Sequence, residues 1–318
     1  MNSKPIISII IPVYNREKLI PETLDSIVLQ SFTNWECILV DDNSVDDSFR
    51  IMLKYKSIDA RFKVFKRPQA LKKGANACRN FGFLKTSGSY IKWFDSDDVM
   101  LSKHLEVAYN TVIKDELDFV ITDTLNFSHE SGKIEGKPFE FDKNKESITA
   151  KNFALNRIGW ITDDFLGSRK IVENIRFNEN ITTDGDEYNF FVKLLSQSFN
   201  GAFIEEVLTH RRVHDNSLTN IHGEDTAHYI GKVANIKFQT AKDLVLSNDL
   251  DLIRWFLSGY MQFAFKLALV NQTIPFKFSS FKLICRYYSV SKGLAFILAI
   301  ITVNYFKKGF NIMKYARK

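Results

Sequence analysis

The chain has 318 residues, of which 45% are hydrophobic and 25% charged, an ordinary globular composition that excludes a disordered chain. The length favours one main domain with an appendage. Charge is unevenly distributed: residues 252–318 carry eleven Lys and Arg and no acid, which gives +11, whereas residues 1–251 carry 32 basic and 37 acidic residues, which gives −5. The basic surplus belongs to the C-terminal segment and indicates an anionic partner there.

Cysteine usage and the N-terminus bear on the compartment. Cys37, Cys78 and Cys285 lie far apart without metal-ligand spacing, and the sparse, odd number is typical of a reducing compartment. The opening sequence MNSKPIISIIIPVYN lacks a small-residue cleavage site, and its apolar run is too short to span a bilayer. We therefore expect a first β-strand there and not a signal peptide.

Strand and helix patterns alternate through the first hundred residues. β-Branched and apolar runs predict strands, and apolar residues at helical spacing predict the helices between them. This alternation predicts right-handed βαβ units and an α/β fold with a parallel sheet. The predicted strands are residues 6–13, 37–40, 62–66 and 89–94, and the predicted helices are residues 16–30, 48–58 and 74–87.

The second hundred residues are less regular. Residues 117–123 predict another strand, and the polar residues 126–145 predict a hairpin or excursion. Residues 184–198, DGDEYNFFVKLLSQS, predict an apolar helix with acidic residues in its first turn. Because acidic groups suit the positive end of the helix dipole, part of that pattern is explained without a functional role.

Acidic residues follow two of the predicted strands. Asp41 and Asp42 end one strand, while Asp95, Asp97 and Asp98 follow another. Ligands of parallel α/β sheets bind at the carboxyl ends of strands, and crowded carboxylates repel unless a cation or a ligand compensates them. A divalent cation that bridges a diphosphate would do so. The alternative is an Asp-rich turn that caps a helix.

Four motifs extend this interpretation. In chain order they are SIIIPVYNRE, LDSIVLQSFTNWECILVDDNSVDDS, GANACRNFGFLKTSGSYIKWFDSDD and GDEYNFFVKLL. Together they resemble the successive motifs of the family 2 inverting glycosyltransferases, over roughly residues 5–215. The resemblance implies a GT-A fold, which is a Rossmann-like nucleotide-binding mixed sheet flanked by helices. We expect a catalytic domain over residues 1–220 and a helical, basic C-terminal extension over residues 221–318.

The first two motifs supply the expected nucleotide site. By the resemblance, Pro12, Tyr14 and Asn15 line the nucleotide cleft. The resemblance also implies that Asp41 accepts a hydrogen bond from the base of a uridine nucleotide, with Asp42 close to it.

The third motif supplies the expected donor-sugar and metal site. The resemblance implies that Asp95 contacts the ribose or the donor sugar, and that Asp97 holds Mn²⁺ or Mg²⁺ on the diphosphate. Arg79 and Asn80 match a segment beside the donor site, although Cys78 replaces the alanine usual there. A structural ion pair is the alternative role of Arg79.

The last motifs supply the expected base and a second metal ligand. The family's base usually lies in a Glu-Asp pair that opens a helix, but here the order is Asp186-Glu187. Position favours Glu187 as the base and residue type favours Asp186; we choose Glu187, with Asp186 contacting a sugar. Arg212 and His214 match the family's late R-x-H-x-x-S element, and His214 is a candidate metal or diphosphate ligand. A surface histidine without a role is the alternative.

The resemblance implies transfer of a hexose or N-acetylhexosamine from a nucleotide sugar, expected to be a UDP-sugar, to a hydroxyl of a glycan or lipid-linked acceptor in surface polysaccharide synthesis. An inactive glycan-binding or scaffold protein is the alternative. The apolar run 293–306, with its basic flanks, favours an interfacial helix on an anionic membrane over a spanning one. A helix packed on the catalytic domain is the other interpretation of this run. We expect a cytoplasmic enzyme, peripheral on the inner face of the cell membrane, with no nucleic-acid partner.

Overall fold

The protein is described from a computed structural model, which covers residues 4–182, 185–197, 199–214, 226–247 and 249–318. The chain divides into two compact units. The first consists of Met1–Thr182 and Ser198–Asn220, and the second of Thr183–Gln197 and Ile221–Lys318. Residues 183–197, which carry the expected catalytic base, therefore group with the C-terminal helices.

The first unit is built on one mixed β-sheet. The strand order is β3-β2-β1-β4-β8-β6-β9-β5, and β7 pairs with β6. The strands are β1 (Ile7–Val13), β2 (Trp35–Asp41), β3 (Phe62–Lys66), β4 (Tyr90–Trp93), β5 (Val99–Met100), β6 (Phe119–Ser128), β7 (Ile134–Gly136), β8 (Phe165–Ser168) and β9 (Gly201–Val213). The helices are α1 (Ile20–Val28), α2 (Ser48–Ile58), α3 (Ala75–Phe83), α4 (His104–Lys114), α5 (Ala150–Ala154) and α6 (Arg169–Val172).

The parallel strands of the sheet bring their carboxyl ends to one edge. All residues of β1 and β2 are buried, as expected for strands covered on both faces. In the parallel register Val13 lies opposite Asp41, and Ile10 lies opposite Trp93. The residues that follow β1, β2 and β4 therefore meet at the same edge. The sequence-based prediction of alternating strands and helices here is confirmed.

Close contact between helix and sheet explains one glycine. A side chain at Gly82 in α3 would approach the side chain of Ile10 in β1 to 2.6 Å. Helix α1 begins at Ile20, later than the predicted residue 16, because Arg16 lies in a turn whose carbonyl accepts hydrogen bonds from the amides of Leu19 and Ile20. The polar segment after residue 126 returns as β7, antiparallel to β6.

The second unit is helical. Its helices are α7 (Asp186–Leu195), α8 (Thr226–Asp243), α9 (Leu250–Leu269), α10 (Lys277–Tyr287), α11 (Val290–Phe306) and α12 (Phe310–Arg317). Helix α7 packs on α8, where Asn189 donates hydrogen bonds to the side chains of Thr240 and Asp243. Within the residues that the structure describes, no helix combines the length and apolar character needed to cross a membrane.

Candidate active site

Two loops at the carboxyl edge are locked to each other. Asn15 after β1 and Asn43 after β2 have φ angles of 51° and 60°, a left-handed conformation that asparagine tolerates better than most residues. The amide of Asn15 donates to Ser44 Oγ at 3.0 Å, and Asn15 Oδ1 accepts from the amide of Val45 at 2.9 Å. The predicted cleft residue Asn15 thus fixes the shape of the strand-end loops.

Asp41 and Asp42 both lie at this edge and are buried. The carboxylate of Asp41 accepts a hydrogen bond from the amide of Ser44, at 3.2 and 3.3 Å to its two oxygens. Asp42 pairs with Arg67 and accepts from the amide of Gly74 at 2.9 Å. Gly74 has a φ of 133°, which strains any residue with a side chain. Asp42 therefore joins the end of β2 to the start of α3.

Replacing Arg67 with methionine should lower the free energy of unfolding by about 3–5 kcal/mol, because it leaves the Asp42 carboxylate buried without its cation. Both side chains of this pair are only 5–6% exposed. Urea denaturation measures the loss. Arg50→Met is the matched control, since it removes an exposed ion pair with Asp47 and should leave the urea midpoint nearly unchanged. Equal destabilisation by the two variants would contradict this structural role of Asp42.

The carboxylate of Asp97 is contacted by two basic side chains. Arg16 Nε and His214 Nε2 each lie 3.1 Å from the same carboxylate oxygen, Oδ2. Burial acts to raise the pKa of Asp97, but the His214 hydrogen bond and the Arg16 charge together lower it below the usual value. Across the described residues, Asp97 Oδ1 has no hydrogen-bond partner. One carboxylate oxygen therefore remains available to a ligand.

Three further carboxylates converge beside Asp97. Oxygens of Asp95, Asp98 and Asp163 lie within 4.8 Å of one another. Asp163 Oδ1 accepts from the amide of Asp95 at 3.0 Å. Burial raises the pKa values of Asp98 and Asp163 well above normal, and neighbouring carboxylates raise them further. A shared proton or a cation would relieve the repulsion between these carboxylates.

The motifs of the sequence analysis did not include Asp163. Strand β8 runs antiparallel to β4, with Ile91 opposite Gly167, so that continuing the register places Asp95 opposite Asp163. The only local signal is the Asp163-Asp164 pair just before an apolar run. Strand pairing brings Asp163 to the site, and a linear motif does not contain that information.

Protein donors and one buried cation offset part of the negative charge. The buried ammonium of Lys92 in β4 donates to the carbonyl of Asp163, and burial lowers the pKa of Lys92 to about 8. Arg212 donates from its amide to Asp98 Oδ1 and from Nε to the carbonyl of Asp97, both at 2.8 Å. The crowded carboxylates are thus compensated in part by the protein itself, which the sequence analysis did not anticipate.

Arg79 and Asn80 have different surroundings. Arg79 donates to Asp95 Oδ1 at 2.8 Å, so it forms an ion pair and lies beside the predicted donor-site carboxylate. Asn80 exchanges hydrogen bonds at 2.9 Å with the backbone of Phe177 and also donates to the side chain of Glu179. In this structure Asn80 holds the segment that follows α6.

Pro12 and Tyr14 lie at the end of β1. Pro12 is buried opposite Val40 of β2, whereas Tyr14 is 38% exposed. The ammonium of Lys73 lies 3.9 Å from the centre of the Tyr14 ring. An exposed aromatic ring beside a cation suits a nucleotide, because a base stacks on the ring and a phosphate pairs with the ammonium.

Asp186 and Glu187 open α7 in the second unit, and both are half-buried. Asp186 Oδ1 accepts a hydrogen bond from the amide of Glu187 at 3.0 Å, which helps the helix begin. Gly185 before them packs on Ile236 of α8, where an added side chain would approach to 2.3 Å. In the late R-x-H-x-x-S element Ser217 lies outside the described residues.

The residues around Asp97 fit a hard divalent cation. Asp97 and His214 would hold such an ion once the hydrogen bond between His214 Nε2 and Asp97 Oδ2 is given up, since a carboxylate oxygen and an imidazole nitrogen are both ligand atoms. Oδ1 of Asp97 is a further oxygen donor, whereas the carboxylates of Asp95, Asp98 and Asp163 form a separate group that includes neither Asp97 nor His214. The donor set of carboxylates with one imidazole suits Mn²⁺ as well as Mg²⁺.

Sequence comparison decides the family. The profile described as "Glycosyl transferase family 2" matches residues 8–176, more than half of the chain. This chain belongs to glycosyl transferase family 2. The matched range contains the strand-end loops, Arg79, and the carboxylates Asp95, Asp97, Asp98 and Asp163.

Relatives of this family 2 member come from several bacteria. The glycosyltransferase GlyA of Streptococcus pneumoniae is 26% identical over 84% of this chain, but the match spans only 41% of GlyA. TuaG of Bacillus subtilis, described as a putative teichuronic acid biosynthesis glycosyltransferase, is 28% identical over 69% of this chain and 83% of its own length. A Campylobacter jejuni β-1,3-glucosyltransferase that acts on GalNAc(5)-diNAcBac-PP-undecaprenol is 30% identical over 61% of this chain and 60% of its own.

Solved structures confirm the predicted GT-A fold. Residues 1–349 of Staphylococcus aureus TarS, in complex with UDP-GlcNAc, align with a TM-score of 0.68 at 15% identity and cover 98% of this chain and 90% of that one. The mannosyltransferase PcManGT of Pyrobaculum calidifontis, in complex with GDP-Man and Mn²⁺, aligns with a TM-score of 0.53 at 14% identity. The alignment covers 96% of this chain and 89% of PcManGT. The mixed α/β sheet and the C-terminal helices predicted from the sequence are thus confirmed.

Proposed function

We propose that this family 2 member is an inverting, metal-dependent glycosyltransferase that uses a UDP-sugar to extend a bacterial surface glycan. The observation that carries the proposal is Asp97 at the carboxyl edge of the sheet, whose Oδ2 lies 3.1 Å from His214 Nε2 and whose Oδ1 has no hydrogen-bond partner among the described residues. In this proposal residues 1–220 form the catalytic domain and residues 221–318 the extension. The transferred sugar is a hexose or N-acetylhexosamine, and UDP-GlcNAc bound to TarS supports a uridine nucleotide.

The donor is bound by the strand-end loops. Tyr14 and Lys73 contact the nucleotide from one side, and the carboxylate of Asp41 accepts from the uracil imide. Arg79 orients Asp95 toward the ribose or the donor sugar. Asp42 supports this arrangement through its buried pair with Arg67. The hydrogen bonds of Asn15 hold the loop after β1 against the loop after β2. The nucleotide therefore binds to a surface that is already formed.

Asp97 and His214 would hold the divalent cation, Mn²⁺ or Mg²⁺. When bound, the cation would neutralise the charge that develops on the diphosphate as UDP leaves the sugar. Arg16, which donates to Oδ2 of Asp97, would donate to the same diphosphate. The carboxylate of Asp97 would thus act through the cation, and Arg16 would act by a direct charge-assisted hydrogen bond.

Glu187 takes the proton of the acceptor hydroxyl. Asp186 already accepts a hydrogen bond from the amide of Glu187, which supports a role for Asp186 in starting the helix. In this proposal Asp186 also contacts a sugar. Attack of the deprotonated oxygen on the anomeric carbon, opposite the departing UDP, inverts the configuration there. Glu187 lies in the first turn of α7.

The acceptor is a hydroxyl of a glycan, here proposed to be linked to a polyprenyl diphosphate. The relatives from C. jejuni and E. coli (WfgD) act on sugars carried by diphosphate-linked undecaprenol. Such an acceptor lies at a membrane surface, which supports a peripheral location on the inner face of the cell membrane. The eleven basic residues of 252–318, with no acidic residue among them, support contact with anionic lipid.

Thermal unfolding with nucleotides tests the donor site. At one hundred times its Kd, a ligand of the native state stabilises by about 2.7 kcal/mol, so UDP with Mn²⁺ should raise Tm by several degrees. GDP should raise it less, because its two-ring purine is larger than the single uracil ring for which the site is proposed. The Asp41→Asn variant should remove the preference for UDP. No stabilisation by either nucleotide would contradict the proposed donor and favour an inactive scaffold.

A further inference from the structure

Helix α11 carries an exposed stripe of apolar residues, which we call the α11 stripe. At 100° per residue, its five members fall within an arc of about 80°, and they extend over about 22 Å of the helix. Their exposed fractions range from 45% at Ile301 to 79% at Tyr305. The stripe consists of Val290, Leu294, Leu298, Ile301 and Tyr305.

The opposite face of α11 packs in the core of the second unit. Phe296, Ala299, Ile300 and Val303 are fully buried in the core of the second unit. A helix that packs on a protein normally turns polar residues to solvent, whereas α11 is apolar on both faces. The stripe is therefore an apolar surface that the core of its own unit does not cover.

Positive charge surrounds the stripe. Lys292 lies near its start, and Lys307 and Lys308 follow its end. Lys292 donates to the carbonyl of Tyr315 at 2.7 Å, which places the basic helix α12 beside the start of α11. No acidic residue occurs between residues 252 and 318. A partner for this surface must offer apolar contact and negative charge together.

We propose that the α11 stripe inserts into the interface of an anionic lipid bilayer, with the helix axis parallel to the membrane plane. A bilayer with anionic headgroups supplies both acyl chains for the stripe and negative charge for the flanking lysines. The 17 residues of α11 are too few to span the hydrocarbon core, which requires about 20, so the helix lies in the interface. A second copy of the chain fits less well, because two such surfaces carry the same positive charge and repel.

This inference gives the proposed peripheral location a defined surface. It rests on the proposed function only for the reason why the enzyme needs a membrane. Aromatic residues near the end of α11 support it, since Tyr305, Phe306 and Phe310 are each more than 60% exposed. Tyrosine is enriched at the headgroup level of membranes, where one part of its ring is apolar and the other is hydrated.

Vesicle flotation of the full chain tests the stripe. Vesicles that contain one part phosphatidylglycerol to two parts phosphatidylcholine should bind the protein, and binding should fall at high salt because the lysines are screened. The triple variant Leu294→Gln, Leu298→Gln, Ile301→Gln should bind at least tenfold more weakly. UDP-dependent thermal stabilisation of the same variant should stay unchanged, which separates this inference from the proposed function.

The control variant changes exposed apolar residues of the first unit, Ile58→Gln with Leu84→Gln, and should bind vesicles as the wild type does. Equal binding by the triple variant and the wild type would overturn the proposal. So would equal binding to pure phosphatidylcholine, because charge would then play no part. A wild-type dimer that the triple variant converts to a monomer, without any vesicle binding, would assign the stripe to a second copy and overturn the membrane as its partner.

Discussion

Replacing Asp97 with alanine should lower the rate of UDP release from a UDP-sugar roughly a thousand-fold. The variant loses the carboxylate that holds the cation, and neutralisation of a leaving diphosphate is worth several kcal/mol, with each 1.36 kcal/mol equal to a factor of ten. It also leaves Arg16 and His214 without their shared partner. A coupled assay for UDP in the presence of Mn²⁺ measures the rate.

Asp123→Ala is the matched control for this experiment. Asp123 is 13% exposed, close to the 17% of Asp97, and also has two cationic partners, Lys137 and Lys143. It lies in β6, however, and takes no part in the proposed site. The control should keep UDP release within a few-fold of the wild type. An equal loss of UDP release in both variants would show that removing any paired carboxylate impairs folding. The loss in Asp97→Ala would then not be due to the cation.

Replacing Glu187 with glutamine should lower kcat for transfer by roughly 10²–10⁴, the range that a general base contributes. Glutamine keeps the size of the side chain and the N-terminal turn of α7 but does not accept a proton. The affinity for UDP should not change, because Glu187 acts on the acceptor. Initial rates of UDP release with a polyprenyl-diphosphate-linked sugar as acceptor give kcat, and calorimetry with UDP gives the affinity.

Asp186→Asn is the comparison variant for the base. Asp186 bonds the amide of Glu187, and asparagine retains an oxygen that accepts this bond. We therefore expect a loss of no more than about tenfold, smaller than for Glu187→Gln. The opposite order, with Asp186→Asn the more damaging change, would assign the base to Asp186. Little loss in either variant would remove both residues from catalysis.

The sequence predicts the strand-end site because the information is local. A buried parallel strand reads as a continuous apolar run, and the residues after it must meet at one sheet edge. Asp41 and Asp95 were placed at this edge from the order of strands alone, and the register of β1 with β2 and β4 agrees. Each strand could be recognised without knowledge of its distant partners.

The contacts that complete the site are not local. Asp163 reaches Asp95 through antiparallel pairing of β8 with β4, and Arg212 reaches Asp97 through pairing of β9 with β5. Asp95 and Asp163 are 68 positions apart in the sequence, and Asp97 and Arg212 are 115 positions apart. Periodicity within a short window contains no information on them, so the sequence suggested an external cation for charges that Lys92 partly balances.

The grouping of α7 has a similar explanation. Its apolar positions predict a helix, but they do not determine which other helices it packs against. The structure packs α7 on α8, through Gly185 against Ile236 and through Asn189 against Thr240. The helix that carries Asp186 and Glu187 therefore belongs with the C-terminal helices, within the second compact unit.

Release of UDP by the wild-type chain tests the central claim most directly. The full chain is incubated with a panel of UDP-hexoses and UDP-N-acetylhexosamines, with Mn²⁺ or with EDTA, and UDP is measured over time. A metal-dependent glycosyltransferase should hydrolyse at least one donor slowly in Mn²⁺ and none in EDTA. Absence of UDP release from every donor, together with no UDP-dependent stabilisation, would contradict the account and favour a protein that keeps the GT-A fold without turnover.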